Sequence, residues 1–290
     1  MVHATFFNDP GCPWGYSASP DLAVLRWRYA DGLSWRLVTI GLAEDTERYE
    51  RSGYSPARQA GNYRTFGRRF GMPVGATPRE RIVATGRACR AIVATRLADP
   101  SRQWAVMRAL QFGWFCTPGL LDEDADLRRR LATVPGLDAD AIVGALDDPA
   151  VEAAYQTDRE ETRQAAGTPA EAQGKTATTD GPVRFTAPSV VFTAEDGRRL
   201  DAGGFQSLDA YDVLIANLEP GLARREPAAD ARDALAAFDH GLTTQEVAAL
   251  RAPHLVDPDR EAAGAELLEL AAGGAAHREP LGDDALWTAL

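Results

Sequence analysis

The junction at Cys12 constrains the fold of this chain more than any other feature. An apolar, strand-like stretch (Val2–Phe7) precedes it, and Pro13 and a helix-like run follow it directly. Proline suits the first position of a helix because its missing N–H would have no partner there, so we expect Cys12 to be the N-cap residue. The unpaired N–H groups of a helix start favour a thiolate, whose pKa can fall to roughly 3.5–7.5. The junction therefore predicts a nucleophilic thiol.

The segments around this junction follow the order strand, helix, strand. Helical spacing spans residues 13–29, Asp31 and Gly32 end it, and β-branched and aromatic residues predict a second strand over residues 34–40. A right-handed helical crossover normally joins two parallel strands, and ligands bind where such strands end and helices begin. We therefore expect Cys12 at the ligand edge of a sheet.

Helical signal dominates the middle of the chain. The sequence Thr77–Glu80 combines a capping box with proline at the first helical position, and predicts a helix that continues to Arg96. Further helical segments follow as far as about residue 166. We therefore predict an α/β domain, residues 1–222, with a helical subdomain of about residues 77–166 inserted into it.

Strand signal returns after this insertion. Residues 184–192 predict one strand, Asp196–Gly197 a hairpin turn, and Ser207 the cap of a last helix in this domain. The small, polar residues 167–182 predict a mobile surface loop.

Composition excludes several classes of function. The formal net charge of −11 argues against a nucleic-acid partner, because affinity for nucleic acids depends largely on Lys and Arg that neutralise phosphates. The three cysteines are unlike a disulfide framework, and no apolar run is long enough to cross a bilayer. We expect a cytoplasmic protein with reduced thiols and no membrane partner. The histidines show no metal-binding spacing, so no metal site is predicted.

Three segments together resemble the DsbA-like branch of the thioredoxin superfamily. They are the active-site segment Phe7–Gly15, the insert segment Leu110–Phe115, and Thr186–Pro188. The first looks like the Cys-Pro-Trp-Cys site of FrnE-type dithiol-disulfide isomerases, and the branch also contains 2-hydroxychromene-2-carboxylate isomerases and kappa-class glutathione transferases. The resemblance covers roughly residues 2–220 and implies that Ala187 and a cis Pro188 lie beside Cys12.

The sequence departs from this pattern at Gly15. A dithiol site needs a second cysteine there to attack the mixed disulfide and release the substrate. The resemblance therefore implies monothiol chemistry at Cys12 with no covalently bound cofactor, on a small-molecule or disulfide substrate, with a low-molecular-weight thiol such as glutathione or mycothiol as partner. Cys89 or Cys116 replaces the missing cysteine only if the insert folds over the site.

Other residues near the thiol have two interpretations each. In one interpretation Pro13 and Trp14 line a substrate site, where Trp14 shields the thiol or stacks on a flat substrate. In the other, Trp14 is an exposed side chain that only packs beside the loop. Tyr16 donates a hydrogen bond to the thiol or packs on a helix face. Three arginines, Arg64, Arg68 and Arg69, form an anion pocket or a solvated basic face.

Residues 225–290 predict a separate small unit whose elements resemble a winged helix. Thr243–Glu246 is a capping box, and a longer helix and a hairpin follow it. Because this stretch is strongly acidic, we interpret it as a cap, an oligomer contact (a homodimer included) or a lid, and not as a DNA-binding unit. Three functions stay open: a monothiol oxidoreductase, an isomerase or glutathione-transferase-like enzyme acting on an aromatic or polyketide-like substrate, and a non-catalytic binding module.

Overall fold

The strands form three sheets in the computed structural model, which describes residues 1–179 and 181–290. The strands are β1 (Val2–Asn8), β2 (Leu33–Thr39), β3 (Thr176–Ala177), β4 (Arg184–Phe185), β5 (Ser189–Ala194), β6 (Arg199–Ala202), β7 (Leu242–Thr243), β8 (Ala276–Leu281) and β9 (Asp284–Ala289). The sheets have the orders β2-β1-β5-β6, β3-β4 and β7-β9-β8.

The helices flank these sheets and fill the long interval between β2 and β3. They are α1 (Pro13–Ser17), α2 (Ser19–Tyr29), α3 (Glu47–Arg51), α4 (Pro56–Phe70), α5 (Gly86–Ala98), α6 (Gln103–Cys116), α7 (Asp124–Leu131), α8 (Ala139–Gly144), α9 (Pro149–Thr162), α10 (Pro169–Ala172), α11 (Leu208–Leu218), α12 (Ala231–Ala236), α13 (Thr244–Arg251) and α14 (Arg260–Ala272). No helix of the described residues is both long and apolar enough to cross a bilayer.

The first sheet carries the candidate site and confirms the predicted strand-helix-strand order. Strand β1 pairs in parallel with β2, from Val2 opposite Leu33 to Asn8 opposite Thr39. On its other side β1 pairs antiparallel with β5, and β5 pairs antiparallel with β6 through the predicted hairpin. Strand β1 is therefore a central strand of the sheet, and the turn after its carboxyl end leads to Cys12.

The predicted helix over residues 13–29 is divided into two. Helix α1 ends at Ser17, and α2 begins at Ser19 with Pro20 in its first turn. Pro20 has no N–H to continue the hydrogen bonding of α1, which explains the break. Helix α1 is therefore a separate short helix that follows Cys12 directly.

The predicted helix start at Thr77 is wrong. Residues 72–85 have no helix, and α5 begins only at Gly86. Arg79 is buried in this segment and donates hydrogen bonds to the carbonyls of Gly119 (2.9 Å) and Trp114, while Arg81 pairs with Asp122 at 2.6 Å. These tertiary bonds hold the backbone irregular and override the local capping signal.

The predictions for residues 167–192 are also wrong in part. Residues 167–182, predicted to form a mobile loop, contain α10 and β3, and β3 pairs with β4. Asp180 of this segment lies outside the described residues. The single strand predicted over residues 184–192 is divided into β4 and β5 by the turn that contains Pro188.

The C-terminal elements build a second core. Helices α12–α14 and the sheet β7-β9-β8 surround a buried cluster that includes Leu235, Leu267 and Trp287. Ala23, Val24 and Trp27 of α2 belong to the same cluster. The predicted capping box at Thr243 and Glu246 is confirmed. The likeness to a winged helix, the domain boundary at residues 222–225 and the limits of the helical insert stay predictions.

Candidate active site

Cys12 occupies the N-cap of α1, as predicted. Its backbone is extended, Pro13 follows it at the first helical position, and the backbone N–H of Gly15 donates to its Sγ at 3.4 Å. The N–H of Cys12 itself donates to the carbonyl of Asp9 at 3.1 Å. The turn between β1 and α1 therefore fixes both the position and the direction of the thiol.

The far half of the chain reaches the same sulfur. The thiol of Cys12 donates to the carbonyl oxygen of Ala187 at 3.2 Å, and the Ala187–Pro188 peptide bond is cis. Ser189, at the start of β5, binds the carbonyl of Thr186 through its hydroxyl at 2.7 Å and accepts from the N–H of Gly204 at 3.0 Å. The structure thus brings together Cys12, Ala187 and Pro188.

The predicted low pKa of Cys12 is wrong for this state of the protein. The residue is only 4% exposed, and burial raises the pKa of its thiol to about 12. The N–H groups of Gly15 and Trp14 and the nearby Arg184 act in the opposite direction, whereas the charge of Asp9 raises the pKa further. Loss of water around the sulfur outweighs the helix start, so the thiol is held neutral.

Asp9 is a functional residue that the sequence analysis missed. It is fully buried, and its carboxylate accepts hydrogen bonds from the N–H groups of Gly11 (2.9 Å) and Leu42 (2.8 Å), from the hydroxyl of Thr85 (3.1 Å) and from the thiol of Cys89 (3.4 Å). Burial raises its pKa. The Asp-Pro-Gly sequence before Cys12 is a turn signal that could have identified Asp9 as the residue that orders this loop.

Glycine stands on both sides of Cys12 because the chain is crowded there. A Cβ at Gly11 would lie 2.7 Å from Cγ2 of Thr85 and 2.9 Å from Cε2 of Trp114. A Cβ at Gly15 would overlap the side-chain amide of Asn8 and lie 2.7 Å from its Cγ. The position of the missing second cysteine is therefore occupied by Asn8.

Trp14 belongs to an aromatic cluster formed with Phe66, Phe70 and Phe205. Its ring lies 4.9 Å from that of Phe66, 5.7 Å from that of Phe70 and 5.3 Å from that of Phe205, centroid to centroid. The guanidinium of Arg69 lies 5.0 Å from the Phe70 ring. Residues from α1, α4 and the segment after β6 thus form an apolar wall around the first turn of α1, with Trp14 38% exposed.

A cleft of about 670 Å³ borders the aromatic cluster. Phe70 and Phe205 line it together with Arg68 and Arg69, which the sequence analysis placed in an anion pocket, whereas Arg64 does not line it. Opposite them the C-terminal unit contributes Gln245, Asp257, Arg260 and Asp283. The cleft is large enough for a small organic molecule, and its walls carry both signs of charge.

The structure does not bring Tyr16 to the thiol. The hydroxyl of Tyr16 donates to the carbonyl of Pro73 at 2.8 Å, and its ring stacks on Phe115 with centroids 4.6 Å apart. Tyr16 lies four residues after the N-cap. Its side chain faces the core because this side of α1 packs against α6. The helix-packing interpretation of Tyr16 is the one that fits.

The other two cysteines are buried in separate hydrogen bonds. Cys89 donates to Asp9, and Cys116 donates to the carbonyl of Pro73 at 3.2 Å. All three cysteines are free thiols. A resolving role for Cys89 or Cys116 stays a prediction.

Known proteins show the same fold. A family profile described as DSBA-like thioredoxin domain matches residues 4–185. A putative protein disulfide isomerase from Nitrosomonas europaea superimposes with a TM-score of 0.57 at 15% identity, over 75% of this chain and 97% of that one. A probable DsbA oxidoreductase from Streptomyces coelicolor gives 0.56 at 18% identity, over 78% and 92%.

A third solved structure is the cytosolic disulfide reductase DsbM from Pseudomonas aeruginosa. It gives a TM-score of 0.50 at 19% identity, over 76% of this chain and 98% of that one. No curated protein sequence matches the chain. The profile spans more than half of the chain and contains Cys12. The chain belongs to the family of DSBA-like thioredoxin domains.

Proposed function

We propose that this protein is a thiol-disulfide oxidoreductase that acts through Cys12 alone, with an external small thiol as the second reactant. The observation that carries this proposal is the position of the sulfur at the start of α1, between the N–H of Gly15 and the carbonyl of Ala187. In that arrangement the backbone at Ala187 can pair with an extended substrate beside the sulfur. Asn8 occupies the space of a second cysteine, which supports a single-thiol route.

The raised pKa of Cys12 is explained by a closed state of the site. Burial is the largest cause of the shift, and the N–H groups of Gly15 and Trp14 act against it. When the aromatic cluster is displaced by a substrate, water reaches the sulfur and the effect of burial decreases, while these backbone bonds remain. The thiol then ionises more easily, so reactivity depends on occupancy of the site.

The exchange proceeds in two balanced steps. The Cys12 thiolate attacks one sulfur of a disulfide, a new S–S bond forms on Cys12, and the other sulfur leaves as a thiolate. An external thiolate then attacks the mixed disulfide, takes the substrate sulfur into a new disulfide, and restores the Cys12 thiolate. The external thiol supplies the electrons that a second cysteine would otherwise supply.

The cleft beside the aromatic cluster suits a small acidic thiol. Arg68 and Arg69 line it next to Phe70, and guanidinium groups bind carboxylates. The structure of DsbM, a relative of the same fold, has also been solved with GSH. Glutathione carries two carboxylates and mycothiol none, so the arginines favour glutathione as the partner.

The C-terminal unit is proposed as a winged-helix-like cap on this cleft. Its Asp283 accepts from the N–H of Val74 at 2.8 Å, and Gln245 and Asp257 line the cleft from the far side. Its acidic composition supports a cap and not a nucleic-acid contact. A cytoplasmic location is part of the same proposal, since all three cysteines are reduced.

The test is covalent capture by oxidised glutathione. Intact-mass measurement of wild-type protein should show one glutathionyl adduct, and peptide mapping should place it on Cys12. The adduct should disappear on addition of reduced glutathione. The Cys12→Ser variant should form none, whereas Cys89→Ala and Cys116→Ala should behave as wild type. An adduct on Cys89 or Cys116, or none at all, would contradict the proposal.

One observation favours a second function. The aromatic cluster around Trp14 offers an apolar wall next to the residue that follows Pro13, close to the thiol, which suits an isomerase or glutathione-transferase-like reaction on an aromatic substrate. In that case Cys12 holds no adduct, but an aromatic electrophile should be consumed in the presence of glutathione by wild type and not by Cys12→Ser. If neither adduct nor turnover occurs, the protein is a binding module that retains the fold.

A further inference from the structure

A cavity lies beside Gly15 of α1, and Cys12 does not line it. Its volume is about 70 Å³, and residues of both the first domain and the C-terminal unit line it. Asn8, Gly15 and Arg26 line it from one side, and His240 and Glu246 from the other. A buried water needs about 10–15 Å³ of such space, so the cavity has room for roughly five or six non-hydrogen atoms.

The side chain of Asn8 is buried in this cavity without satisfied hydrogen bonds. The residue is 1% exposed, and neither Oδ1 nor Nδ2 has a partner within the described residues. Buried amides are almost always hydrogen-bonded in native proteins, so such a pair of atoms indicates a missing occupant. That occupant must both donate to Oδ1 and accept from Nδ2.

The charges around the cavity leave one positive charge unbalanced. Arg108 and Glu246 form a bidentate pair with both N–O distances at 2.6 Å, which cancels their charges. Burial, followed by repulsion from Arg108, lowers the pKa of His240 to about 4, so this imidazole is neutral at pH 7. Arg26 stacks on Trp104 at 3.9 Å, and no carboxylate pairs with it among residues 1–179 and 181–290.

A second unsatisfied donor faces the same region. Nε of Arg108 is buried and has no hydrogen-bond partner in the described chain. The remaining walls are apolar and include Phe6, Leu22 and Met107. The cavity therefore combines a lone cation, two free donors, one free acceptor and an apolar side.

We propose that this cavity binds a short hydroxycarboxylate, with its carboxylate on Arg26 and its hydroxyl on the amide of Asn8. The carboxylate pairs with the guanidinium of Arg26, which is only partly exposed to water and has no acidic partner in the described chain. The hydroxyl donates to Oδ1 and accepts from Nδ2, and the short carbon chain packs on Phe6 and Leu22. This site is distinct from the thiol site, because Cys12 does not line it.

Lactate is the probe, with propionate and lactamide as matched comparisons. Isothermal titration at constant ionic strength should show that lactate binds more tightly than propionate, which lacks the hydroxyl. Lactamide, which lacks the charge, should bind at least tenfold more weakly than lactate. Equal affinity for lactate and lactamide, or no heat with any of the three, would overturn the proposal, since water alone would then fill the cavity.

Two variants separate the roles of the two side chains. Arg26→Gln should weaken lactate at least tenfold, and Asn8→Ala should reduce lactate to the affinity of propionate. Arg232→Gln, an exposed arginine on α12, is the charge control and should change nothing. Retention of lactate affinity in Arg26→Gln would refute the assignment.

A spectroscopic measurement covers the case in which these variants fail to fold. In protein labelled with ¹⁵N-asparagine, the side-chain amide signal of Asn8 should shift with lactate and not with lactamide; an unmoved signal refutes the site. Lactate should bind Cys12→Ser as it binds wild type. The binding of lactate is therefore tested independently of the glutathione adduct.

Discussion

The surroundings of Cys12 and of Gly15, at the start of α1, differ in how well their polar groups are satisfied. The sulfur of Cys12 both donates and accepts a hydrogen bond. Against Gly15, three residues further on, the amide of Asn8 has no partner, and the guanidinium of Arg26 in the same cavity has no counter-ion in the described chain. The comparison indicates that glycine at position 15 does more than leave out a second thiol: it leaves room for the Asn8 amide and makes this space part of a polar cavity.

Breaking the ion pair on the cavity side should have the largest effect. Arg108→Met leaves Glu246, which is 1% exposed, without its counter-ion, and such losses typically cost about 3–5 kcal/mol of unfolding free energy. Urea denaturation measures the change. Arg51→Met, in an exposed pair with Glu47, is the control and should cost less than about 1 kcal/mol. A similar small loss for Arg108→Met would show that this ion pair contributes little to the stability of the protein.

Gly15→Ala should destabilise the protein next most strongly. Its Cβ would overlap the amide of Asn8, and overpacking of this kind costs about 1–3 kcal/mol. Gly61→Ala on α4 meets open space and should instead stabilise by about 0.5–1 kcal/mol through helix propensity. If Asn8→Ala does not reduce the cost of Gly15→Ala, the crowding does not come from the amide.

Opening the aromatic cluster should make Cys12 more acidic. In wild type, iodoacetamide alkylation of Cys12 should follow a midpoint near pH 12, because burial is the main cause of the raised pKa. Phe205→Ala removes a ring that packs on Trp14, close to the thiol. We expect water to enter there, so the midpoint should fall toward 9.0 and the alkylation rate at pH 8 should rise about tenfold, equivalent to about 1.4 kcal/mol. Phe238→Ala, on the cavity side, is the control and should leave the profile unchanged. An equal shift in both variants would mean that the two sides are not independent.

Asp21 should give an effect on stability that appears only as the pH rises. Burial, followed by repulsion from Asp209, raises the pKa of Asp21 to about 7. A carboxyl whose folded pKa is raised contributes stability below its ordinary pKa of 3.8 and loses it as the pH rises through about 7. Asp21→Asn should therefore match wild type near pH 4 and be the more stable of the two at pH 8. A constant difference at both pH values would contradict this assignment.

Local signals in the sequence sufficed for the position of Cys12 but not for its chemistry. Proline at the first helical position and the alternation of strand and helix depend on neighbouring residues, so the N-cap and the parallel strands were predicted correctly. Burial of the sulfur depends on distant parts of the chain, such as the segment at Ala187 that accepts from the thiol, and no local pattern reports it. The same reason explains the error at Thr77: the capping signal was present, but the tertiary bonds of Arg79 decided the backbone.

The pairing of Asn8 with Gly15 could not be predicted either. It depends on which face of a short helix a strand residue touches, which neither residue type reveals. Two other features could be predicted from the sequence. The family resemblance indicated the cis bond before Pro188, and turn chemistry indicated the hairpin at Asp196–Gly197.

Helix α2 has apolar residues on two faces, and each face is covered by a different part of the molecule. Leu22 and Leu25 pack on the first sheet, while Val24 and Trp27 lie in the core of the C-terminal unit. The indole N–H of Trp27 donates to the carbonyl of Glu226 at 2.7 Å. A protein shortened after residue 224 would therefore expose a tryptophan and a valine to solvent directly behind the reactive helix. Recombinant work on the thiol chemistry is best done with residues 225–290 retained, since their removal would produce an aggregation-prone surface.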